Sequence, residues 1–321
     1  MNVRIVPVGF LLLFFCSSIL GQPAPARGNS VDSYREDLLH RIAVVAEGAR
    51  QAERDKVGDI QLARIYAELG QLCYRAAQWD RSESAAKRSL LLFRRAGGAK
   101  GELAVVLSQL ADVHIAKGNL KESEKEDKEA LKLREELGDR LQIARSWEEL
   151  SALALRQQRF QRAKEFAQKA VEEFSTNTRS TVSDRMAAWL ALSESLCGLN
   201  ECPSAIPFLK KSVDDAKAAL RPQDFPIGLS EFLLGYAYWK SGEISLAEEY
   251  MRDGTSGMDK QLGWGHPAYV AALTHYEKFL KENRQMEAAN EVERKIHRAE
   301  AVVDVGAIQS GQGAFGFAAL K

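Results

Sequence analysis

The residues of this chain best suited to nucleophilic or metal chemistry are four cysteines and five histidines. The histidines are His40, His114, His266, His275 and His297. None belongs to a His-Glu-x-x-His pair, and none stands at a Cys/His zinc spacing. No glycine-rich loop has phosphate-binding spacing, and there is no Gly-x-Ser-x-Gly elbow. No metal, cofactor or intrinsic catalytic activity is therefore expected. Cys73 and His114 occupy equivalent places in successive helical units. Equivalent places on packed helices stand roughly 10 Å apart, too far for a Cys–His dyad. Both are expected to be packed in the core. Cys197 and Cys202 flank a short turn, and residues on either side of a helix–turn–helix can meet the Cα separation of a disulfide. They are either a disulfide closing a small loop, two unlinked semi-buried thiols, or a reactive redox pair.

The elements that would position these residues recur. In residues 234–250, Leu234 and Gly235 lie mid-helix, Tyr238 follows on the same helix, and Gly242 sits in the turn seven residues after Gly235. Ile244 and Ala247 then start a second helix. Small residues at Gly235 and Ala247 let two antiparallel helices approach, Tyr238 fills the wedge, and Gly242 permits a tight turn. Counting from Gly235, the pattern places equivalent residues at Gly70, Ala111, Ser151, Ser193 and Glu277, with steps of 41, 40, 42, 42 and 42. One hairpin cannot bury its apolar face alone, and stacked hairpins can.

Residues 110–124 and 72–83, with Leu110, Gly118 and Leu120, and Leu72, Trp79 and Ser82, resemble tetratricopeptide repeats of the long, kinesin-light-chain-like kind. The resemblance covers about residues 59 to 300. It implies an all-α, right-handed α-solenoid of about six helical hairpins behind an N-terminal capping helix. The family's aromatic at the Tyr238 place is replaced by Cys73, His114, Ala154, Leu196 and Leu280 in the other copies, so unequal repeat stabilities are expected. In this family the first helices line a concave groove that binds a peptide or protein. Transferred by position, the groove comprises Arg64, Gln71, Tyr74, Asp112, Arg145, Glu148, Glu194, Phe232, Tyr236 and Trp239, with Arg75, Arg156 and Lys240 at its edge. Aromatic and arginine side chains most often anchor partners, and Phe232, Tyr236 and Trp239 would form an apolar platform. Family members that clamp a C-terminal carboxylate use a Lys and an Asn one turn apart. None of the matching pairs here, such as Ala67/Gln71 or Phe232/Tyr236, has those residues.

Lys and Arg together number 44, as do Asp and Glu, so no overall charge draws the chain to nucleic acid or to an anionic membrane. Residues 1–26 read as a signal peptide and the start of a linker. Arg4 precedes an apolar run, and cleavage falls after Gly21 or Ala26. An uncleaved membrane anchor over residues 5–20 is the alternative. Residues 27–58 hold a linker and the capping helix, with Leu38, Leu39, Ile42, Val45 and Ala49 on one stripe and Asp59 as the next N-cap. Residues 59–304 form the array, and residues 305–321 a Gly-rich tail. Polar or proline-bearing links are expected at 175–183, 221–226 and 254–267. Pro203 and Pro207 predict a second helix that starts at Ser204 or is kinked. The reading is an exported (periplasmic or secreted) scaffold binding an unidentified peptide or protein. The alternatives are a self-assembling structural protein and a regulatory subunit of a separately encoded enzyme.

Overall fold

The computed structural model describes residues 31–219, 227–262 and 267–310. The signal or anchor segment with Gly21 and Ala26, the links at 220–226 and 263–266, and residues 311–321 lie outside the described residues. Within them every element is helical: α1 (Val31–Arg54), α2 (Asp59–Arg75), α3 (Trp79–Ala96), α4 (Lys100–Ala116), α5 (Leu120–Leu137), α6 (Arg140–Arg156), α7 (Phe160–Thr176), α8 (Val182–Gly198), a 3-10 turn (Cys202–Ala205), α9 (Ile206–Ala219), α10 (Ile227–Ser241), α11 (Ile244–Leu262), α12 (Pro267–Glu282) and α13 (Met286–Ser310). The chain divides into two compact units. One, Pro23–Ser180, holds α1–α7 and is called the N-terminal array. The other begins at Thr181, holds α8–α13 and is called the C-terminal array. Both are α-solenoid in architecture, a run of antiparallel hairpins stacked side by side.

All six hairpins are closed by one turn geometry. The residues seven places after each reference position, Ala77, Gly118, Gln158, Asn200, Gly242 and Arg284, all have left-handed backbone, with φ between 55° and 84°. The next residue donates its N–H back across the turn, as in Gln78 to the Cys73 carbonyl (2.9 Å), Asn119 to His114 (2.7 Å) and Glu243 to Tyr238 (3.0 Å). This is the Schellman closure, which satisfies helix-end carbonyls. Glycine at Gly118 and Gly242 adopts that φ without Cβ strain. Asn200 tolerates it, and Ala77, Gln158 and Arg284 adopt it against their preference.

The small-residue pair is equally regular. Ser82, Ser123, Ala163, Ala205, Ala247 and Ala289, twelve places after the reference positions, are all buried. Two pairs are tied by hydrogen bonds. The Ser82 hydroxyl donates to the Gly70 carbonyl (2.7 Å) and the Ser151 hydroxyl to the Ala163 carbonyl (2.9 Å). Tyr238 is buried and faces Tyr250 at 5.7 Å.

Several expectations are corrected. On α1, Leu38, Ile42 and Ala49 are buried, and Leu38 and Ile42 pack with Leu72 and Cys73, but Leu39 is 41% exposed. One residue is a 100° step around a helix, which carries Leu39 off the stripe. The N-cap of α2 is Gly58. Asp59 makes no cap bond and is hydrogen-bonded to Arg95 instead. Side-chain caps do start α6, through Asp139, and α8, where Thr181 and Asp184 form a capping box. The two prolines of the fourth hairpin are accommodated by the 3-10 turn: Pro203 lies in it and Pro207 falls in the first turn of α9, where no N–H partner is lost. Residues 254–262 are not a link but the end of α11, for a packing reason given below. α13 continues to Ser310, past residue 304.

Candidate functional site

In the N-terminal array the first-helix positions carry charge. Arg64 is exposed and ion-paired with Glu102 (2.5 Å), and Gln71 is exposed. Tyr74 is half-buried, edge-on to Trp79 at 5.2 Å, so it packs across its own hairpin turn. Asp112, Arg145 and Glu148 are half-buried, and Arg156, expected at an edge, is buried. Behind Asp112 lies a polar network that the sequence reading did not assemble. Arg134 is buried on α5 and donates to the Ser146 hydroxyl (2.5 Å), the Ser108 hydroxyl (3.0 Å) and the Glu149 carboxylate (2.8 Å). Asp127, one turn-pair earlier on the same buried stripe, is 2% exposed. Burial, then Glu149, push the Asp112 pKa up to about 7, with Arg156 opposing. Burial, then Glu149 and Asp112, push Asp127 up as well. A signal existed: Ser123, Asp127, Ala130 and Arg134 fall on one helical stripe, three of them polar where apolar residues belong.

Neither member of the Cys73 and His114 pair is poised for catalysis. Cys73 is buried among Leu38, Ile42 and Leu72, and burial raises its thiol pKa. His114 is buried too, but through a polar contact: its Nδ1 lies 2.7 Å from Glu126. Among the described residues no group of three or more His, Cys, Asp or Glu is placed to hold a metal. Cys197 and Cys202 are joined as a disulfide across the fourth hairpin turn.

In the C-terminal array two of the expected wall residues are not on a wall. Phe232 is fully buried, because α10 and α11 meet backbone to backbone there. A Cβ at Gly254 would lie 2.4 Å from the Phe232 nitrogen. Glu194 is buried on α8, a helix buried on nearly every side from Met186 to Leu196. Tyr236 and Trp239 are half-buried and accessible, with ring centroids 5.6 Å apart and edge-on. α12 completes the face: His275 meets Tyr236 at 5.7 Å and Phe279 meets Trp239 at 5.6 Å. Lys240 is exposed, with its ammonium over both rings, 5.1 Å from the Tyr236 centroid and 4.2 Å from that of Trp239. Burial, then Glu282, lift the Tyr236 hydroxyl pKa to about 12. Burial, then Lys278 and Lys240, press His275 down to about 4. The sequence reading reached α10 but not His275 and Phe279, which lie one period on, 39 and 40 residues after Tyr236 and Trp239.

Two tetratricopeptide repeat models match the chain, over residues 102–172 and 232–256. In sequence, no curated protein matches it. Among solved structures, the apo form of RapI superposes with a TM-score of 0.65 at 15% identity, covering 84% of this chain and 94% of that one. A Rap protein complexed with Competence and Sporulation Factor gives 0.55 at 13% identity, covering 87% and 89%. The nearly identical TPR-like repeats of a putative kinesin light chain from Podosopora anserina give 0.53 at 17% identity, covering 61% and 94%. At these identities the likeness is one of fold. Stacked hairpins with a shared turn geometry define an all-α solenoid, by class a protein–protein interaction scaffold. Residues 102–172 and 232–256 thus match tetratricopeptide repeats, and the hairpin turn recurs with a period of 40 to 42 residues.

Proposed function

We propose that the protein is an exported scaffold that binds an extended peptide, or a helix of a partner protein, along its first helices, and that the C-terminal array holds the anchoring site. The observation that carries this reading is the accessible face of Tyr236, Trp239, Lys240 and His275. Its rings are offered to solvent while nearby Phe232 and Phe279 are consumed by packing. Aromatic side chains that are rigid and half-buried supply contact area at little entropic cost. One structural neighbour was solved with a bound factor, so arrays of this fold accommodate one. Export is supported by the apolar run after Arg4 and by the Cys197–Cys202 disulfide, since cytosolic thiols are kept reduced. Regulating a separately encoded enzyme is one use of such a wall. Self-association through the α12/α13 hairpin has less support, because α13 exposes Glu287, Asn290, Glu291, Arg294 and Arg298, a polar outer face that offers little apolar area to a second copy.

The test is affinity capture from native exported-fraction extract with tagged protein from Arg27 onward, beside a Tyr236→Ala/Trp239→Ala version checked for retained helicity. A partner recovered by the first and depleted several-fold from the second is expected. Equal recovery by both would remove the anchoring site from this face. Recovery of the protein alone would favour self-assembly.

A further inference from the structure

The charges around the aromatic face restrict what can bind it. Ring faces attract cations, but here they already hold this chain's own Lys240 ammonium. Lys278 on α12 adds a second positive charge that acts on both Lys240 and His275. His275 is neutral near pH 7 and balances neither. The acidic side chain acting on Lys240 is Glu282, which is exposed and stands 3.9 Å from Lys278, one turn away on its own helix. Among the described residues no carboxylate is ion-paired with Lys240, whereas nearby Lys281 and Lys217 have Glu277 and Glu231. The face thus combines apolar ring edges with a lysine that is held over the rings and has no direct ion pair, its acidic neighbour Glu282 being paired with Lys278.

Resting on the reading of this wall as the binding site, we infer that its ligand is an extended peptide segment carrying internal Asp or Glu side chains beside an apolar or aromatic one. The carboxylate meets Lys240 and Lys278, and the apolar neighbour lies against Trp239 and Tyr236. A basic segment would have to displace Lys240 from the rings while approaching Lys278. An acidic one leaves the Lys240–ring contact intact and gives Lys240 a direct ion pair.

The experiment uses the purified full chain and three pools of fluorescent 12-residue peptides with shared Leu, Phe and Ala positions. The remaining positions are Glu/Asp, Gln/Asn or Lys/Arg. Both termini are blocked, and one extra neutral pool keeps a free C-terminus. Fluorescence anisotropy should show the acidic pool binding about tenfold more tightly than the neutral one, with the difference shrinking at high salt. Lys240→Gln should weaken acidic binding about fivefold, the upper end for an exposed ion pair. Lys240→Glu/Lys278→Glu should transfer the preference to the basic pool. Acidic and neutral pools binding alike, a best-binding basic pool, or binding that needs the free C-terminus would each overturn the inference. If the neutral pool binds equally and loses its affinity on Trp239→Ala, the acidic ligand is wrong while the wall survives as the binding site. Binding of no pool also overturns the inference, and the capture experiment then decides the scaffold reading separately.

Discussion

The first and fifth hairpins obey one grammar and solve the same packing problem in opposite ways. In α2/α3 a Cβ added at Gly70 would stand 3.4 Å from the Ala86 nitrogen and the Ser82 carbonyl. That is enough room for serines, and Ser82 and Ser89 use it to donate to the Gly70 and Ala63 carbonyls (both 2.7 Å). In α10/α11 a Cβ at Gly228, Gly235 or Gly254 would come within 2.6, 2.5 or 2.4 Å of facing backbone. Those helices touch main chain to main chain, which leaves no space for a polar side chain between them. The contrast extends to each array. The N-terminal one buries Asp127 and ties the buried Arg134 into a hydrogen-bonded network, while the C-terminal one spends its close contacts on glycine and turns Tyr236 and Trp239 toward an accessible face. A repeat therefore conserves its turn and its small-residue register. The remaining interface positions are free to take up different chemistry.

The sharpest way to break this comparison is alanine at both hairpins. Gly254→Ala forces overpacking against backbone that cannot swing aside, at about 1–3 kcal/mol or more, offset in part by about 1 kcal/mol of helix propensity. A net loss of about 2 kcal/mol is expected in urea denaturation. Gly70→Ala meets ordinary contact, so a change below about 1 kcal/mol of either sign is expected from the same offset. Equal costs at the two sites would mean the hairpins are packed alike.

A second, smaller contrast lies in pH. Asp112 has its folded pKa raised to about 7 from a usual value near 3.8. Between these values the folded state holds more protons than the unfolded one, so its contribution is full below about pH 4 and lost as pH rises through about 7. His275 runs the other way. Its folded pKa is lowered to about 4 from about 6.5, so the unfolded state holds more protons and stability falls as pH drops through that window. Going from pH 7 to pH 5, local stability should rise around Asp112 and fall around His275, each by about 1 kcal/mol once partial exposure is allowed for. Hydrogen exchange corrected for intrinsic rates would read both arrays at once. Asp112→Asn should shrink the response of its array, where Asp127 is raised as well, His275→Gln should flatten that of the other, and parallel responses in the unaltered protein would refute the opposition.

What the sequence made legible follows from which physical constraint was local. The turn and the small pair depend on residues twelve positions apart, so Gly235 and Ala247 led to all six copies, including copies without glycine. The close approach of α10 and α11 depends on Gly228 facing Gly254 and Gly257, 26 and 29 residues away. Four glycines ahead of Pro267 read locally as a link, and helix propensity supports that reading. Only the tertiary contact reverses it. Phe232 was placed on the wall by the same spacing as Tyr236, four residues on. It is buried by that glycine contact, which one helix viewed alone does not reveal. Asp127 and Arg134 were visible as polar residues on an apolar stripe, but Arg134's partners come from other helices, Ser108 from the first helix of its own hairpin and Ser146 and Glu149 from the next hairpin.

The smallest effect sharpens the comparison by being the same in both arrays. The left-handed turn residue is set by the closure of each hairpin and not by what the hairpin packs against. Ala77→Gly and Gln158→Gly in the N-terminal array and Arg284→Gly in the C-terminal one should each remove αL strain of about 1–2 kcal/mol. The added backbone freedom of the unfolded chain returns roughly 0.5–1 kcal/mol of that. A net gain of about 0.5–1 kcal/mol is expected at each site. Gly118→Ala and Gly242→Ala should lose about as much. Thermal denaturation of the five variants would show gains and losses that do not depend on the array. If the Arg284 turn responded differently from the Ala77 turn, packing would reach into the closures, and the separation of a shared turn from a variable interface would fail where it is simplest.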